Sequence, residues 1–257
     1  MSDVEVIEGG WDSRAYLVDG TWLEREPRRP EVRERLLTEI RLLPWLAPQL
    51  PLPVPQPVVV RDEPLRVRHR LVPGESATEF TDEQGAVLGR FFRALHAVDT
   101  VAAVDRGVAD AEQAREEHIH HLRRFRGEVL PRIPDDLRVA AAGLLDRLSD
   151  PAPESALVHA DVGPPHLLVV DDRVSGVIDW SDAQIGDPAI DLAWLVHASG
   201  AGGAVAEGYG ADAALLARAH DWHLLGPWHE VTYGLDTDQP GFVASGMAGV
   251  CSRLIPG

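Results

Sequence analysis

The stretch that decides the fold is LVHADVGPPHLLVVDDRVSGVIDWSDAQIGDPAIDLA, residues 157–193. Within it, two short apolar runs, residues 167–170 and 174–178, flank the polar sequence Asp171-Asp172-Arg173. Apolar runs on either side of a short polar segment predict two strands joined by a turn. A segment rich in glycine and proline precedes the first strand, and acidic residues follow the second. The stretch therefore predicts a β-hairpin with chemically active side chains at both ends.

Three positions around this hairpin have the spacing of a phosphoryl-transfer site. Asp161 is followed five residues later by His166, and Asp179 comes thirteen residues after that. A kinase catalytic loop needs an Asp to accept the hydroxyl proton, a metal-holding side chain five residues on, and a second Asp after one hairpin. The group His159, Asp161 and His166 is also compatible with a metal hydrolase, in which His-x-Asp recurs. The spacing leaves both kinds of site open.

Upstream of the hairpin the chain opens with strand patterns. Residues 4–7, 14–19 and 21–24 are typical of strands, and Asp19-Gly20 is a two-residue hairpin turn.

A predicted helix follows these strands. Apolar residues at 32, 36, 40 and 43 follow the helical period, with Pro30 at the start and Pro44 predicted to end the helix. Six prolines in residues 44–57 exclude a helix or a central strand there. Residues 58–60 and 65–71 add two more strands, the second half-exposed.

Downstream, helical periodicity dominates. Thr81 and Gln84 form a capping box ahead of a broad apolar face. Residues 109–130 and 135–148 also have a helical pattern, and helices return from about Pro188. The layout predicts an α+β protein with a small antiparallel β lobe and hinge at residues 1–73. A larger, mainly helical lobe would span residues 74–257.

All 24 basic residues of this 257-residue chain are arginine, so it contains no lysine. That absence excludes a Schiff-base lysine and a Walker-type phosphate loop. The single cysteine, Cys251, excludes an internal disulfide and a cysteine-based zinc site.

The charge is strongly negative. The 41 acidic residues leave a formal net charge of −17, and after residue 150 there are 14 acidic residues against three arginines. This balance argues against a nucleic-acid backbone or an anionic membrane surface as partner and suits a cationic small molecule. Acidity is also a general means of solubility. Without a signal-peptide pattern or a long apolar stretch, the sequence predicts a cytoplasmic protein.

The stretch at residues 157–193 resembles the aminoglycoside phosphotransferases, a branch of the protein-kinase-like fold, and their macrolide phosphotransferase relatives. The likeness extends to GGWDSRAYLVDGTWLEREPRRPEV at 9–32, LPLPVPQPVV at 50–59 and ALHAV at 94–98. It implies a bilobal kinase-like enzyme, monomeric or homodimeric. That enzyme would transfer the γ-phosphoryl group of ATP or GTP, with Mg²⁺, to a hydroxyl of a small cationic antibiotic, an aminoglycoside or a macrolide. The fold is shared by kinases of small endogenous metabolites, which leaves that acceptor class open.

The resemblance also implies roles for residues of the loop and hairpin. Asp161 would be the catalytic base or orienting carboxylate for the acceptor hydroxyl, and His159 would brace the catalytic loop. Asp179, together with His166, would hold the Mg²⁺ ion.

For the nucleotide, the resemblance implies a site in the amino-terminal lobe. Gly10 and Ser13 would lie over the phosphates. Arg25, paired with Glu39, would neutralise them, and the hinge at Val72 would receive the nucleobase through backbone hydrogen bonds.

Two departures from the family pattern stand out. Position 166 is His where most of the family has Asn, and Arg25 replaces the family's lysine; the macrolide branch resembles this chain at both places. Glu24 and Glu26 flank Arg25 and would either pair with nearby arginines or spoil the nucleotide site. Taken together, the departures also allow a kinase-like protein that binds nucleotide or ligand without transfer.

Two further acids of the stretch, Asp187 and Asp191, are expected to be structural, one capping a helix and one tying down the loop. His118 and His121 share a predicted helix face, a spacing that suits zinc, although a solvated helix surface is the expectation.

Aromatic and acidic residues alternate near the carboxy terminus. They indicate either helix packing or an acceptor pocket in which carboxylates attract an amine and aromatic faces cover a sugar or lactone. The residues are Trp222, Trp228, Tyr233 and Phe242 with Asp221, Glu230, Asp236 and Asp238.

Overall fold

A computed structural model of the chain describes residues 3–7 and 13–255. An antiparallel sheet comes first and helices dominate afterwards, so the α+β prediction is confirmed. The amino-terminal elements are β1 (Val4–Ile7), β2 (Ser13–Val18), β3 (Trp22–Pro27), α1 (Pro30–Leu46), β4 (Val58–Arg61) and β5 (Arg66–Arg70).

These five strands form one sheet in the order β1-β2-β3-β5-β4, with antiparallel neighbours. The predicted hairpin turn lies between β2 and β3, where Asp19 and Gly20 have φ angles of 52° and 61°. Asp and Gly tolerate such left-handed φ values better than most residues. The Asp19 carboxylate also accepts a hydrogen bond of 2.9 Å from the Asp3 N–H, which ties β1 to this turn.

The inner face of the sheet packs on α1. Val32 and Leu36 of α1 form a buried cluster with Leu65 and Val67 at β5. Because side chains alternate along a strand, Arg66 and Arg68 lie on the opposite face. The predicted half-exposed strand is therefore confirmed.

Helix α1 continues beyond its predicted end. Pro44 lies inside the helix, which runs to Leu46. A proline removes one intrahelical hydrogen bond. The flanking Leu42, Leu43 and Leu46 are each 0 % exposed, and their burial holds the last turn in place. The prediction that Pro44 ends the helix was wrong because local propensity was overridden by packing.

After β5 the chain is mainly helical, with short strands around the central hairpin. Its elements are β6 (Glu75–Ser76), α2 (Asp82–His96), α3 (Thr100–Val104), α4 (Ala111–Arg124), α5 (Asp135–Ser149), β7 (Ala156–Val158), β8 (Leu167–Val170), β9 (Arg173–Val177), β10 (Gln184–Gly186), α6 (Ala189–Ala198), α7 (Gly202–Tyr209), α8 (Ala213–Asp236) and α9 (Pro240–Leu254). The predicted hairpin is β8-β9. The predicted capping box also forms: the Thr81 N–H donates to Gln84 Oε1 at 2.8 Å, and the Gln84 N–H donates to Thr81 Oγ1.

Helix α1 connects the sheet to the main hydrophobic core. Its carboxy-terminal residues Leu42, Leu43 and Leu46 pack in a cluster with Phe91 and Phe92 of α2. The first half of α1 therefore belongs to the sheet and the second half to the helical part. In the described part of the chain, no helix has the length and apolar character that crossing a membrane requires.

Helices α2 and α7 pack closely because glycines form their contact. A Cβ atom on Gly89 would collide with the Val205 carbonyl oxygen, and one on Gly208 would collide with the Ala86 carbonyl oxygen. Backbone atoms cannot move aside as a flexible side chain can, so this contact requires glycine at both positions.

We predict that Gly89→Ala lowers the free energy of unfolding by about 1–3 kcal/mol, the usual cost of overpacking a tight contact. Gly203→Ala is the matched control, since nothing lies within 4 Å of a Cβ atom at that helical position. It should be neutral or slightly stabilising. Guanidinium unfolding curves of the two variants check this, and equal stabilities would contradict the role given to the α2–α7 contact.

Candidate active site

The loop between β7 and β8 is anchored by the buried carboxylate of Asp191, at the start of α6. Asp191 is 0 % exposed and accepts hydrogen bonds of 2.8 Å from the backbone N–H groups of His159 and Ala160. His96 of α2 lies 3.0 Å from the same carboxylate through Nε2. A buried carboxylate needs such donors to offset the loss of water. The bonds hold Ala160 in a left-handed conformation, with φ of 67°.

The expected structural roles of Asp187 and Asp191 are confirmed. Asp187 Oδ1 accepts from the Ala189 N–H at 3.0 Å and so caps α6, while Oδ2 accepts from Arg218 and from the Trp222 indole. Both carboxylates are therefore committed to hydrogen bonds that fix the loop and α6.

His159 braces the loop from within. Its ring is buried, and Nδ1 accepts a hydrogen bond from the Asp161 N–H at 3.3 Å. Nε2 must then carry the hydrogen, which it donates to the Ile178 carbonyl at 3.0 Å. His159 thus links the loop to the segment after β9, and its buried ring is not available to a ligand.

The three residues singled out by spacing come together at one end of the β8-β9 hairpin. His166 Nδ1 lies 2.7 Å from the Asp161 carbonyl oxygen and 3.5 Å from its Oδ2, and His166 Nε2 lies 3.7 Å from Asp179 Oδ2. Because a carbonyl oxygen only accepts, Nδ1 carries a hydrogen, and in the neutral form of the ring Nε2 has a lone pair that can act as a ligand. The Asp161 side chain is 58 % exposed and therefore accessible to a ligand.

Asp179 is held in an unusual backbone conformation, with φ of 64°, and accepts a 3.0 Å hydrogen bond from the Ser181 hydroxyl. Burial raises the pKa of Asp179. The nearby His166 and Arg25 charges and the Ser181 hydrogen bond lower it by more, so the pKa of Asp179 lies below its ordinary value. Asp179 is therefore anionic at neutral pH.

Asp179 and His166 offer one carboxylate and one imidazole nitrogen at the same point. No group of three or more ligand side chains forms in residues 3–7 and 13–255. Two protein donors suit a divalent cation that takes its other ligands from phosphate oxygens and water, as Mg²⁺ does in phosphate-transfer sites. The nitrogen is a softer donor than Mg²⁺ prefers.

Arg25 and Glu39 form the ion pair implied by the resemblance. The Arg25 guanidinium contacts the Glu39 carboxylate, which is 2 % exposed. Burial raises the pKa of Glu39 above its ordinary value. The charge of Arg25 lowers that pKa, but by less than burial raises it. Two buried atoms of the pair, Arg25 Nε and Glu39 Oε1, have no hydrogen-bond partner among the described residues. Arg25 also interacts electrostatically with Asp179.

Glu24 and Glu26 do not crowd this pair. Alternation along β3 places them on the outer face of the sheet, where Glu24 pairs with Arg66 and Arg68 and Glu26 with Arg61 and Arg66. Of the two outcomes left open by the sequence, pairing with nearby arginines is the one that occurs.

Two of the remaining predicted nucleotide ligands, Ser13 and Val72, lie within the described residues. Ser13 is buried at the start of β2, and Gly10 lies outside the described residues. Val72 is buried at the junction after β5, where the Ser175 hydroxyl donates to the Pro73 carbonyl. The roles of Ser13 and Val72 toward a nucleotide stay predictions.

A cleft of about 1120 Å³ opens beside the loop between β7 and β8. Asp161 and Asp182 line it, together with residues of α1, α4, α6, α8 and α9. Of the aromatic and acidic residues near the carboxy terminus, Trp222, Glu230 and Tyr233 line the cleft.

The other members of that set are elsewhere. Trp228 is fully buried in a second hydrophobic cluster, and Phe242 and Asp238 line a separate shallow cavity. Asp221 and Asp236 are paired with Arg147 and Arg124. Helix packing is thus the outcome for Trp228, and the role of Trp222, Glu230 and Tyr233 toward an acceptor stays a prediction.

Histidines form a wall of the cleft that the sequence did not reveal. His118, His121, His223 and His229 all line it. Burial lowers the pKa of His118 and His121, and it lowers that of His223 to about 4, so these imidazoles are neutral at pH 7. The expectation of a solvated surface at His118 was wrong, because its ring stacks on Trp222 at 4.7 Å and its Nε2 lies 2.9 Å from the Leu148 carbonyl oxygen.

His96 is a second residue that sequence reasoning missed. It joins Asp191 to the Tyr209 hydroxyl, which lies 2.9 Å from Nδ1. Burial raises the pKa of Tyr209 to about 12, so that hydroxyl stays protonated. The motif ALHAV at 94–98 could have pointed to this residue, because His96 is the polar residue of that motif.

The family model described as "Phosphotransferase enzyme family" matches residues 3–228. The uncharacterised protein YcbJ of Bacillus subtilis is 26 % identical over 195 residues, which cover 66 % of this chain. The chain spans 61 % of the length of that relative.

Solved structures give a longer match. Macrolide 2'-phosphotransferase MphH from Brachybacterium faecium is 27 % identical, with a TM-score of 0.78 and coverage of 96 % of this chain and 91 % of that one. The GDP complex of aminoglycoside 2'-phosphotransferase-IIIa is 22 % identical, with a TM-score of 0.84 and coverage of 98 % and 92 %. The predicted bilobal, protein-kinase-like fold is therefore confirmed.

We predict that Asp191→Asn destabilises the protein by about 3 kcal/mol, because an amide turns one acceptor oxygen into a donor facing backbone N–H groups. Asp171→Asn, at an exposed turn with φ of 47°, is the control and should cost little, since Asn tolerates that conformation. Thermal unfolding measures both. A loss of stability no larger at position 191 than at position 171 would contradict the anchoring role.

Proposed function

Because the chain belongs to the phosphotransferase enzyme family, we propose that it transfers the γ-phosphoryl group of ATP or GTP to a hydroxyl of a small antibiotic. The observation that carries the proposal is the convergence of Asp161, His166 and Asp179 at one end of the β8-β9 hairpin, where Asp161 also lines a cleft of about 1120 Å³. A metal hydrolase is less well supported, since His159 is buried and both its nitrogens are engaged within the loop.

In this mechanism Asp161 aligns the acceptor hydroxyl and takes its proton. The hydroxyl oxygen forms a bond to the γ-phosphorus while the bond from that phosphorus to the bridging oxygen breaks, and the nucleoside diphosphate leaves. His159 and Asp191 keep the Asp161 backbone fixed through the loop hydrogen bonds. Most of the rate enhancement then comes from positioning and charge neutralisation.

Asp179 and His166 are the residues that would hold Mg²⁺. When bound, the ion would neutralise charge on the phosphates. Arg25 interacts electrostatically with Asp179 and is oriented by Glu39, and its guanidinium would neutralise phosphate oxygens. Gly10 and Ser13 would cover the phosphates, and the hinge at Val72 would receive the nucleobase through backbone hydrogen bonds, which leaves the choice between ATP and GTP open.

The acceptor would be a macrolide or an aminoglycoside. His166 and Arg25 favour the macrolide class, as does the wall of neutral histidines. The negative charge of the chain after residue 150 favours a polycationic aminoglycoside.

The test is a screen of purified protein with Mg²⁺ and either ATP or GTP against macrolides, aminoglycosides and small amino alcohols. Mass spectrometry should detect a gain of about 80 daltons on one acceptor class, the mass of a transferred phosphoryl group. Product only with an endogenous amino alcohol would replace the antibiotic assignment with a metabolite kinase. No product from any acceptor, while nucleotide still raises the melting temperature, would favour a binding protein without transfer.

We predict that Asp161→Asn reduces transfer at least 100-fold while the nucleotide dissociation constant stays within about twofold, because the variant removes a base and no nucleotide ligand. Asp179→Ala should instead weaken metal-dependent nucleotide binding at least tenfold. Calorimetric titration and product assays separate the two effects. Full activity of Asp161→Asn, or unchanged Mg²⁺ dependence of Asp179→Ala, would contradict the respective assignment.

We predict that Arg25→Lys raises the KM for nucleotide about tenfold, because a lysine loses the planar pair of donors that a guanidinium offers to Glu39 and to phosphate at once. Arg68→Lys is the matched control. It lies on the neighbouring strand and the outer face, where it pairs with Glu24, so KM should not change. If Arg25→Lys kept full affinity, the lack of lysine would reflect composition alone.

A further inference from the structure

Tyr209 is the last residue of α7, and its hydroxyl contacts the buried network behind the loop between β7 and β8. The hydroxyl lies 2.9 Å from His96 Nδ1, and the two rings meet edge to face with centroids 5.5 Å apart. His96 Nε2 in turn lies 3.0 Å from Asp191 Oδ2. The side chains of His96 and Asp191 are 4 % and 0 % exposed. Tyr209 is therefore the outer end of a buried chain of contacts that leads to the loop.

The glycine contact between α2 and α7 sets the position of Tyr209. A Cβ atom on Gly89 would lie 2.7 Å from the Tyr209 backbone nitrogen, which is closer than such atoms can approach. Gly89 and His96 lie on one face of α2, because they are separated by about two helical turns. The backbone of Tyr209 therefore packs on Gly89 while its side chain reaches His96 farther along the same helix. Gly210, with φ of 77°, ends α7 directly afterwards.

The hydrogen bonds around Asp191 decide which nitrogen of His96 is a donor. The two Asp191 oxygens accept from the backbone N–H groups of His159 and Ala160, and a carboxylate has no hydrogen to give. His96 Nε2 must therefore carry a hydrogen. A neutral imidazole carries only one, which leaves Nδ1 as an acceptor. The Tyr209 hydroxyl can rotate to donate to Nδ1, and burial, which raises the pKa of Tyr209 to about 12, keeps that hydroxyl protonated.

The opposite tautomer of His96 would weaken the anchor of the loop. With the hydrogen on Nδ1, the lone pair of Nε2 would face the Asp191 carboxylate, and this buried charge would lose one of its donors. The same carboxylate holds Ala160 at a φ of 67°, one residue before Asp161. A hydrogen bond that selects the tautomer on one side of the network therefore acts on the loop at the other side.

We propose that Tyr209 is a positioning residue for the loop between β7 and β8. Its hydroxyl donates to His96 Nδ1, holds the hydrogen of that ring on Nε2 and so keeps Asp191 fully hydrogen-bonded. The consequence for Asp161 rests on the proposed function, because it assumes that this carboxylate aligns an acceptor hydroxyl. The hydrogen bonds of the loop themselves can be measured without any acceptor.

The test compares Tyr209→Phe, which keeps the ring and removes the hydroxyl, with the wild-type protein by NMR. Nitrogen-15 chemical shifts of His96 distinguish a ring nitrogen that carries hydrogen from one that does not. In the wild type Nε2 should carry hydrogen and Nδ1 should not, whereas the variant should populate both tautomers. Amide hydrogen exchange at His159 and Ala160 should become about three- to tenfold faster in the variant, the change that one hydrogen bond makes in an equilibrium.

Tyr16→Phe is the matched control. Tyr16 lies on the outer face of the sheet, opposite Glu24 on β3, with the Arg66 guanidinium 4.6 Å from its ring centroid. Loss of this hydroxyl should leave amide exchange at His159 and Ala160 unchanged, because the residue has no part in the network behind the loop.

His96→Gln tests whether the tautomer is the property that matters. A glutamine amide can donate to Asp191, but it cannot exchange its hydrogens between two nitrogens. On this background, Tyr209→Phe should change the exchange of the loop amides by less than about twofold. Melting temperatures establish that each variant is folded. Should His96→Gln fail to fold, the nitrogen-15 shifts of the single variant Tyr209→Phe decide the question.

Four results would overturn the role given to Tyr209. They are hydrogen on His96 Nδ1 in the wild type, unchanged exchange at His159 and Ala160 in Tyr209→Phe, an undiminished effect on the His96→Gln background, and equal acceleration of all amides. The last result would mark a general loss of stability.

Kinetics separate the positioning role from the proposed function. If both are right, Tyr209→Phe lowers kcat about three- to tenfold and leaves the KM for nucleotide within about twofold. A changed tautomer and faster loop exchange, without phosphorylated product from any acceptor, would support the role of Tyr209 and count against transfer. Transfer by Tyr209→Phe at the wild-type kcat would leave the proposed function standing and overturn the positioning role.

Discussion

The buried carboxylate of Asp191 is the constraint on which the rest of the site depends. It accepts from two consecutive backbone N–H groups and lies against His96, so it fixes the loop, α2 and α6 relative to one another. A buried charge is tolerated only when such donors surround it, and removing one leaves the others unsatisfied. This requirement holds Ala160 at positive φ and thereby presents Asp161 to the cleft, while His159 is turned inward.

Helix α1 carries a second constraint, because it belongs to both packing units. Its apolar residues lie in the cluster beneath the sheet and in the main core. Its polar residues Glu39 and Arg35 contact Arg25 and Asp182, respectively. Any shift of α1 would therefore act on the predicted nucleotide site and on the proposed acceptor cleft together. Two contacts on one rigid helix provide a direct physical connection between them.

Local patterns predicted many elements because the physics behind them is local. The Asp19-Gly20 turn, the capping box at Thr81 and the β8-β9 hairpin each depend on residues close in sequence. Prediction failed at Pro44, where burial of the neighbouring leucines outweighs a missing hydrogen bond. Prediction also failed at His118, because the residues near it in sequence do not indicate that α8 packs against its side chain.

The sequence by itself determined the order of elements, the spacing of Asp161, His166 and Asp179, and the absence of lysine, which leaves Arg25 as the cation proposed to face the phosphates. Only the tertiary structure decided which charges meet. It turned Glu24 and Glu26 to the outer face, paired Asp221 and Asp236 with arginines, and left Asp182 facing Arg35 in the cleft. The reason is physical: the partner of a charged side chain is set by packing between elements distant in sequence, which no local pattern encodes.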